Sequence, residues 1–138
     1  MRVLGVDFGF RRIGLATAET DVKLATPRPQ IVASGALKRD AGVIGTIAAS
    51  EDVSLVVVGL PLESDGNEGR MARICRQLAG YLSELGLEVR LIDESMTSVE
   101  AERSLQGQGL KASRRKKLRD SEAACLILER YMDEEAPH

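Results

Sequence analysis

Aromatic side chains are scarce in this chain: 3% of 138 residues, with two Phe, two Tyr and no Trp. The core must therefore be aliphatic, and base stacking on exposed aromatics is not an expected way for the chain to hold nucleic acid. Histidine is scarcer still. His138 is the only one and the last residue, which suits a frayed end better than a ligand, so chemistry that needs an imidazole base is nearly excluded. Cysteine is limited to Cys75 and Cys125, which form no CxxC pair and fall on expected helices. They read as buried thiols in a reducing cytoplasm, where the protein is expected to act. No apolar run approaches the roughly 20 residues of a membrane span, and the first residues read as a strand rather than a signal peptide. Repeats, low-complexity tracts and linkers are also missing, so residues 1–138 are expected to form one domain. Neither sign of charge dominates: 19 Lys and Arg against 21 Asp and Glu leave a net charge of -2, which does not advertise a nucleic-acid binder.

The chemistry that is present begins at the first strand. Apolar residues run to Val6, a carboxylate follows at Asp7, and Gly9 stands where a hairpin turns or a ligand approaches the backbone. A charge at the end of a central strand is costly unless paired or metal-bound. Asp7 can cap the turn through the amides of Phe8 or Gly9, or it can hold a metal ion. Whether other carboxylates reach the same place decides between these readings.

A second strand over 13–18 completes a hairpin. Pro27 and Pro29 mark the stretch from Leu24 to Gly35 as a loop, with a short edge strand at 30–34. A helix follows over 40–50, with Asp40 as its expected cap. The β-branched run 55–59 has no alternation and reads as a strand buried on both faces. A polar loop with Asp65 and Gly66 leads to a helix over 68–85, with Met71, Ile74, Cys75, Leu78, Leu82 and Leu85 as its apolar stripe and Gly86 as its stop. The last strand, 87–92, runs into Asp93 and Glu94. Thr97 and Glu100 form a capping box for a short helix ending near Gly107. The stretch from Gly107 to Ser113 is expected to be mobile before the final helix. The order predicts an α/β fold with a five-stranded mixed β-sheet, its first three strands antiparallel, and helices on both faces.

Asp7 ends the first strand, and Asp93 and Glu94 end the last. On the final helix Asp120 shares a stripe with Ala124, Ile127 and Tyr131, the face that must pack on the sheet. Three carboxylates from distant segments aimed at one sheet edge would repel one another, and a divalent cation removes the repulsion. Oxygen ligands without His or Cys suit Mg²⁺ or Mn²⁺. Two such ions about 4 Å apart can activate water and stabilise the leaving oxygen in phosphodiester cleavage. Lys111, Arg114, Arg115, Lys116, Lys117 and Arg119 crowd the start of the same helix, where the helix dipole prefers anions. A nucleic-acid backbone explains that choice. Arg11 and Arg12, beside the first turn, are a second candidate contact. The acids are expected to lie within roughly 8 Å of one another.

Asp7-Phe8-Gly9 followed by Arg11-Arg12-Ile13-Gly14, Val58-Gly59-Leu60-Pro61-Leu62 with Asp65-Gly66, Asp93-Glu94-Ser95-Met96-Thr97 with Ala101-Glu102, and Asp120 with Ala123-Ala124 resemble the YqgF/RuvX family, in its order and spacing. The resemblance runs from Val3 to about Tyr131. It implies an RNase H-like fold of the Holliday-junction-resolvase type and a divalent-metal-dependent nuclease that matures the 5′ end of pre-16S rRNA. The competing family assignment is a junction resolvase, which would work as a homodimer. Carried over by position, Asp7, Glu94 and Asp120 are the catalytic and metal-binding acids, with Asp93 an alternate ligand. Ser95 stands where the family's motif usually has Arg. An actin-like ATP-binding module needs a second lobe that this length does not supply. A non-catalytic RNA-binding assembly factor would not need the three acids.

Overall fold

The computed structural model describes residues 1–63, 65–93 and 112–135; in the last range side chains are described for 121–134. The short helix expected between Thr97 and Gly107, together with Glu94, Ser95, Lys111 and His138, lies outside the described residues.

The elements are β1 (Arg2–Phe8), β2 (Arg12–Glu19), β3 (Leu24–Val32), α1 (Leu37–Ser50), β4 (Leu55–Leu60), α2 (Arg70–Glu84), β5 (Glu88–Asp93) and α3 (Ala112–Glu135). The sheet order is β3-β2-β1-β4-β5. β1 pairs antiparallel with β2, and β2 with β3; β1–β4 and β4–β5 are parallel. All six residues of β4 are buried, as a strand covered on both faces requires.

Strand alternation divides the core in two. Leu4, Val6 and Phe8 of β1, with Val56, Val58 and Leu60 of β4, pack with α1 and α2. Val3, Leu55, Val57 and Ile92 pack with Ala124, Ile127, Leu128 and Tyr131 of α3. The expected apolar stripe of α3 is thus buried on the sheet. On α2 the helix ends at Glu84, so Leu85 falls at its C-cap and is exposed, while Ala72 and Ala79 join the buried face. Gly86 follows with φ +89°, a backbone only glycine adopts without strain.

Three local expectations are corrected. The stretch with Pro27 and Pro29 is mostly strand, because β3 is an edge: alternate amides there face away from β2, and the two prolines are two residues apart. α1 begins at Leu37 with Ala36 as an N-cap that has no side-chain bond. Asp40 is instead buried inside the first turn, where both carboxylate oxygens accept from the Ser34 amide at 3.0 and 3.3 Å. α3 opens at Ala112, within the stretch expected to be mobile.

Both cysteines are buried. Burial pushes the Cys125 thiol up to about 12, reinforced by the Glu122 and Glu129 carboxylates. In the unfolded chain a thiol titrates near 8.5, so between there and about 12 the unfolded state holds fewer protons and stability falls as pH rises. At pH 8 a thiol reagent such as Ellman's should label Cys125 only as fast as the protein opens. Immediate labelling of the native protein would refute this burial.

Candidate active site at the sheet edge

Asp7 is half-buried near the C-terminal end of β1. Its face follows from its neighbours on alternate positions. Val3 packs with α3, and a Cβ placed on Gly5 would meet Leu128 Cγ at 2.6 Å and the Ala124 carbonyl oxygen at 2.8 Å. Asp7 is next on that face. Across β2 its partner is Gly14. On β4 the register pairs Val6 with Val58, and Gly59 follows. Asp7 thus lies between Gly14 and Gly59 of the neighbouring strands, on the face covered by the helix that carries Asp120 one turn before Ala124.

Ser121, adjacent to Asp120, is buried, and its hydroxyl donates to the Arg28 carbonyl at 2.6 Å. That bond pins the start of the packed part of α3 to the edge strand. Sequence reasoning passed over Ser121; the available signal was a hydroxyl on the same stretch of helix as the acid. At the other end, an Arg130 guanidinium nitrogen donates to the Asp93 carbonyl, tying α3 to the end of β5.

Alternation also sorts the last strand. Leu91 packs on the α1/α2 side and Ile92 on the α3 side, so Asp93 follows Leu91 and falls on the face opposite Asp7. Among the described residues no three His, Cys, Asp or Glu side chains gather as a metal-binding group. Glu94 lies outside the described residues. For Asp120, Arg114, Arg115, Lys116, Lys117 and Arg119 the backbone belongs to α3 but the side chains are not described, so the expected 8 Å cluster of acids stays a proposal.

Arg12 begins β2 and pairs with Val32 of β3. With Arg28, Gln30 and Ser121 it lines a groove of about 570 Å³ beside the start of the packed part of α3. Its Nη1 is buried and has no hydrogen-bond partner among the described residues. A buried donor left unsatisfied is expensive and marks a place where an acceptor belongs. Arg11 is exposed in the preceding turn.

Asp65, also a motif residue, shapes its own loop. Its Oδ1 accepts from the Asn67 amide at 3.0 Å, and Gly66 takes φ +85°. Sequence reasoning also missed Arg70 and Arg73. Both are cations in the first turn of α2, where the helix dipole disfavours them, and among the described residues neither has a salt-bridge partner.

The mixed sheet, its strand order and the helix across the face of Asp7 define an RNase H-like fold of the Holliday-junction-resolvase type. In keeping with this, the chain is similar to the solved structure of T. thermophilus RuvC in complex with a Holliday junction substrate, at TM-score 0.62 and 18% identity over 99% of this chain and 98% of that one. It is also similar to the fowlpox virus Holliday junction resolvase, at TM-score 0.56 and 13% identity over 99% and 100%. Residues 1–134 match the RuvX family, described as Holliday junction resolvase. A relative from Anaeromyxobacter dehalogenans (strain 2CP-C), named "Putative pre-16S rRNA nuclease", is 41% identical over 138 residues, covering 99% of this chain and all of the relative. The chain belongs to the RuvX family.

Proposed function

We propose that this chain, as one RNase H-like domain over residues 1–138, is a divalent-metal-dependent nuclease that hydrolyses phosphodiester bonds in the 5′-end maturation of pre-16S rRNA in the cytoplasm. The observation that carries the reading is Asp7: a carboxylate near the end of a central strand, between Gly14 and Gly59 of the neighbouring strands, on the face covered by the helix that bears Asp120. The name and coverage of the relatives support the substrate.

Asp7, Glu94 and Asp120 would hold Mg²⁺ or Mn²⁺. Glu94 is carried over from its place in the family's motif, and Asp93, on the face of β5 opposite Asp7, is the weaker choice of ligand. The donors are all hard oxygens, which fits either ion. When bound, such ions activate water and stabilise the leaving oxygen. This chain's residues position the substrate. Arg12 offers its buried Nη1 to a phosphate oxygen on the same face as Asp7. Arg11 and the cations Lys111, Arg114, Arg115, Lys116, Lys117 and Arg119 track the backbone on either side.

The family's description favours a second reading, a Holliday-junction resolvase acting as a homodimer. The deciding experiment compares the purified protein on a pre-16S rRNA 5′ leader and on a four-way DNA junction, with Mg²⁺, with Mn²⁺ and with chelator. Metal-dependent cleavage of the leader alone supports the first reading, and of the junction alone the second. Cleavage of neither, with binding retained, would instead mark an RNA-binding assembly factor.

Neutralising Arg114, Arg115, Lys116 and Lys117 together should weaken substrate binding. It should also flatten the salt dependence by up to about 0.9 in log–log slope per lost contact on duplex, and somewhat less on single strands. Affinity measured across a salt series checks this; unchanged affinity at every salt concentration would move the binding surface to Arg11 and Arg12.

A further inference from the structure

A low aromatic content excludes an array of stacked bases, but one ring is enough for one base. Phe8 and Tyr131 are buried and Tyr81 packs against the core, whereas Phe10 is 61% exposed. A single exposed apolar side chain is ordinary. This one stands three residues after Asp7, in the turn at the active-site edge of the sheet, with exposed Arg11 next to it. The Arg70 guanidinium carbon lies 5.8 Å from the centre of the ring, within cation–π range, and covers one of its faces.

The ring also walls a cleft of about 200 Å³. Phe8, Leu37 and Ile74 supply apolar sides, and Asp40 and Gln77 bring polar groups to it. The cleft is on the α1/α2 side of the sheet and Asp7 is on the α3 side, so the two sites meet across the sheet edge. The chain from Asp7 to Phe10 spans at most ~11 Å, a distance that a nucleotide or two covers. Arg11, next in the chain, and Arg70 bring positive charge to the ring.

We infer that Phe10, backed by Arg70, is a stacking platform for one unpaired base beside the scissile phosphate, so that the enzyme selects substrates with unpaired nucleotides at the cleavage site. This deepens the nuclease reading and rests on it. An aromatic face accepts any base, so the platform selects strandedness rather than sequence. A base held in a continuous duplex is already stacked and cannot turn onto the ring.

The chain has no Trp, so Phe10→Trp installs a single fluorescent reporter at the platform. In an Asp7→Asn background, which keeps the oligonucleotide intact, the fluorescence of that lone indole should be quenched by a single-stranded oligonucleotide. It should be quenched little by the same strand made abasic, which keeps the phosphates and lacks the bases, and little by the fully paired duplex. In the same Asp7→Asn background Phe10→Ala should weaken binding of the single strand roughly tenfold, since a stacked base contributes on the order of a tenfold factor or more. Phe10→Tyr should restore it, and binding of the abasic strand should not change. Phe10 is exposed, so these variants are expected to fold. If the single strand binds but leaves the indole of Phe10→Trp unquenched, or if Phe10→Ala binds it as tightly as the parent does, the platform is refuted while the nuclease reading stands. If no nucleic acid binds the parent protein, both fall.

Discussion

Asp7→Asn should lower single-turnover cleavage by roughly a thousandfold or more while leaving substrate affinity within a few-fold of the parent. The substitution keeps the shape of the side chain and removes its charge. The sheet pairing of β1 with β2 is therefore not disturbed. The negative charge that a cation needs is lost. Affinity is expected to survive because the proposed reading assigns the phosphates to Arg12, Arg11 and the cations of α3 rather than to Asp7. The same pair of proteins gives a second readout. Mg²⁺ or Mn²⁺ should raise the melting temperature of the parent, since an ion that binds only the folded state stabilises it by mass action. Asp7→Asn should gain less. An equal rise in both proteins, or cleavage by the variant at the parent's rate, would remove Asp7 from the site.

Gly5→Val should destabilise the fold by about 3 kcal/mol or more, at the upper end of what overpacking a core costs. Gly5 lies in the middle of β1, and even a single Cβ there would sit 2.6 Å from Leu128 Cγ and 2.8 Å from the Ala124 carbonyl oxygen. The Leu128 side chain can rotate away. The Ala124 carbonyl belongs to the helix backbone and cannot, so α3 must lift from the sheet. Urea unfolding of the two proteins measures the loss. Lifting α3 also moves Asp120 relative to Asp7, so any folded fraction of the variant should cleave more slowly at saturating metal. A variant with the parent's unfolding midpoint would show that this contact is not tight in solution.

Much of the architecture was legible because it is encoded within short windows. The unbroken β-branched run predicted β4, and six buried residues follow from it. The 3.6-residue spacing of Ala124, Ile127 and Tyr131 predicted the face of α3 that packs on the sheet. The candidate acids were visible for a related reason. A carboxylate at the end of an apolar strand, or on the apolar stripe of a helix, breaks the local pattern and so announces itself. Asp40 shows the limit of this. It looks like a cap by its position, but its partner is the amide of Ser34, whose place depends on how β3 leaves the sheet.

Local pattern alone therefore decides most of the strands and helices, which of their faces are apolar, and which acids interrupt them; β3, a strand through Pro27 and Pro29 because it is an edge, is the exception. Those properties depend on backbone hydrogen bonds and side-chain periodicity over a few residues. It cannot decide what meets across the sheet. Only packing puts Asp7 on the side of α3 and Asp93 on the other, brings Arg70 over Phe10, seats Ser121 on the Arg28 carbonyl, and makes glycine necessary at position 5. Each of these joins segments separated by tens of residues, and their contact energies appear only once the hydrophobic faces have docked.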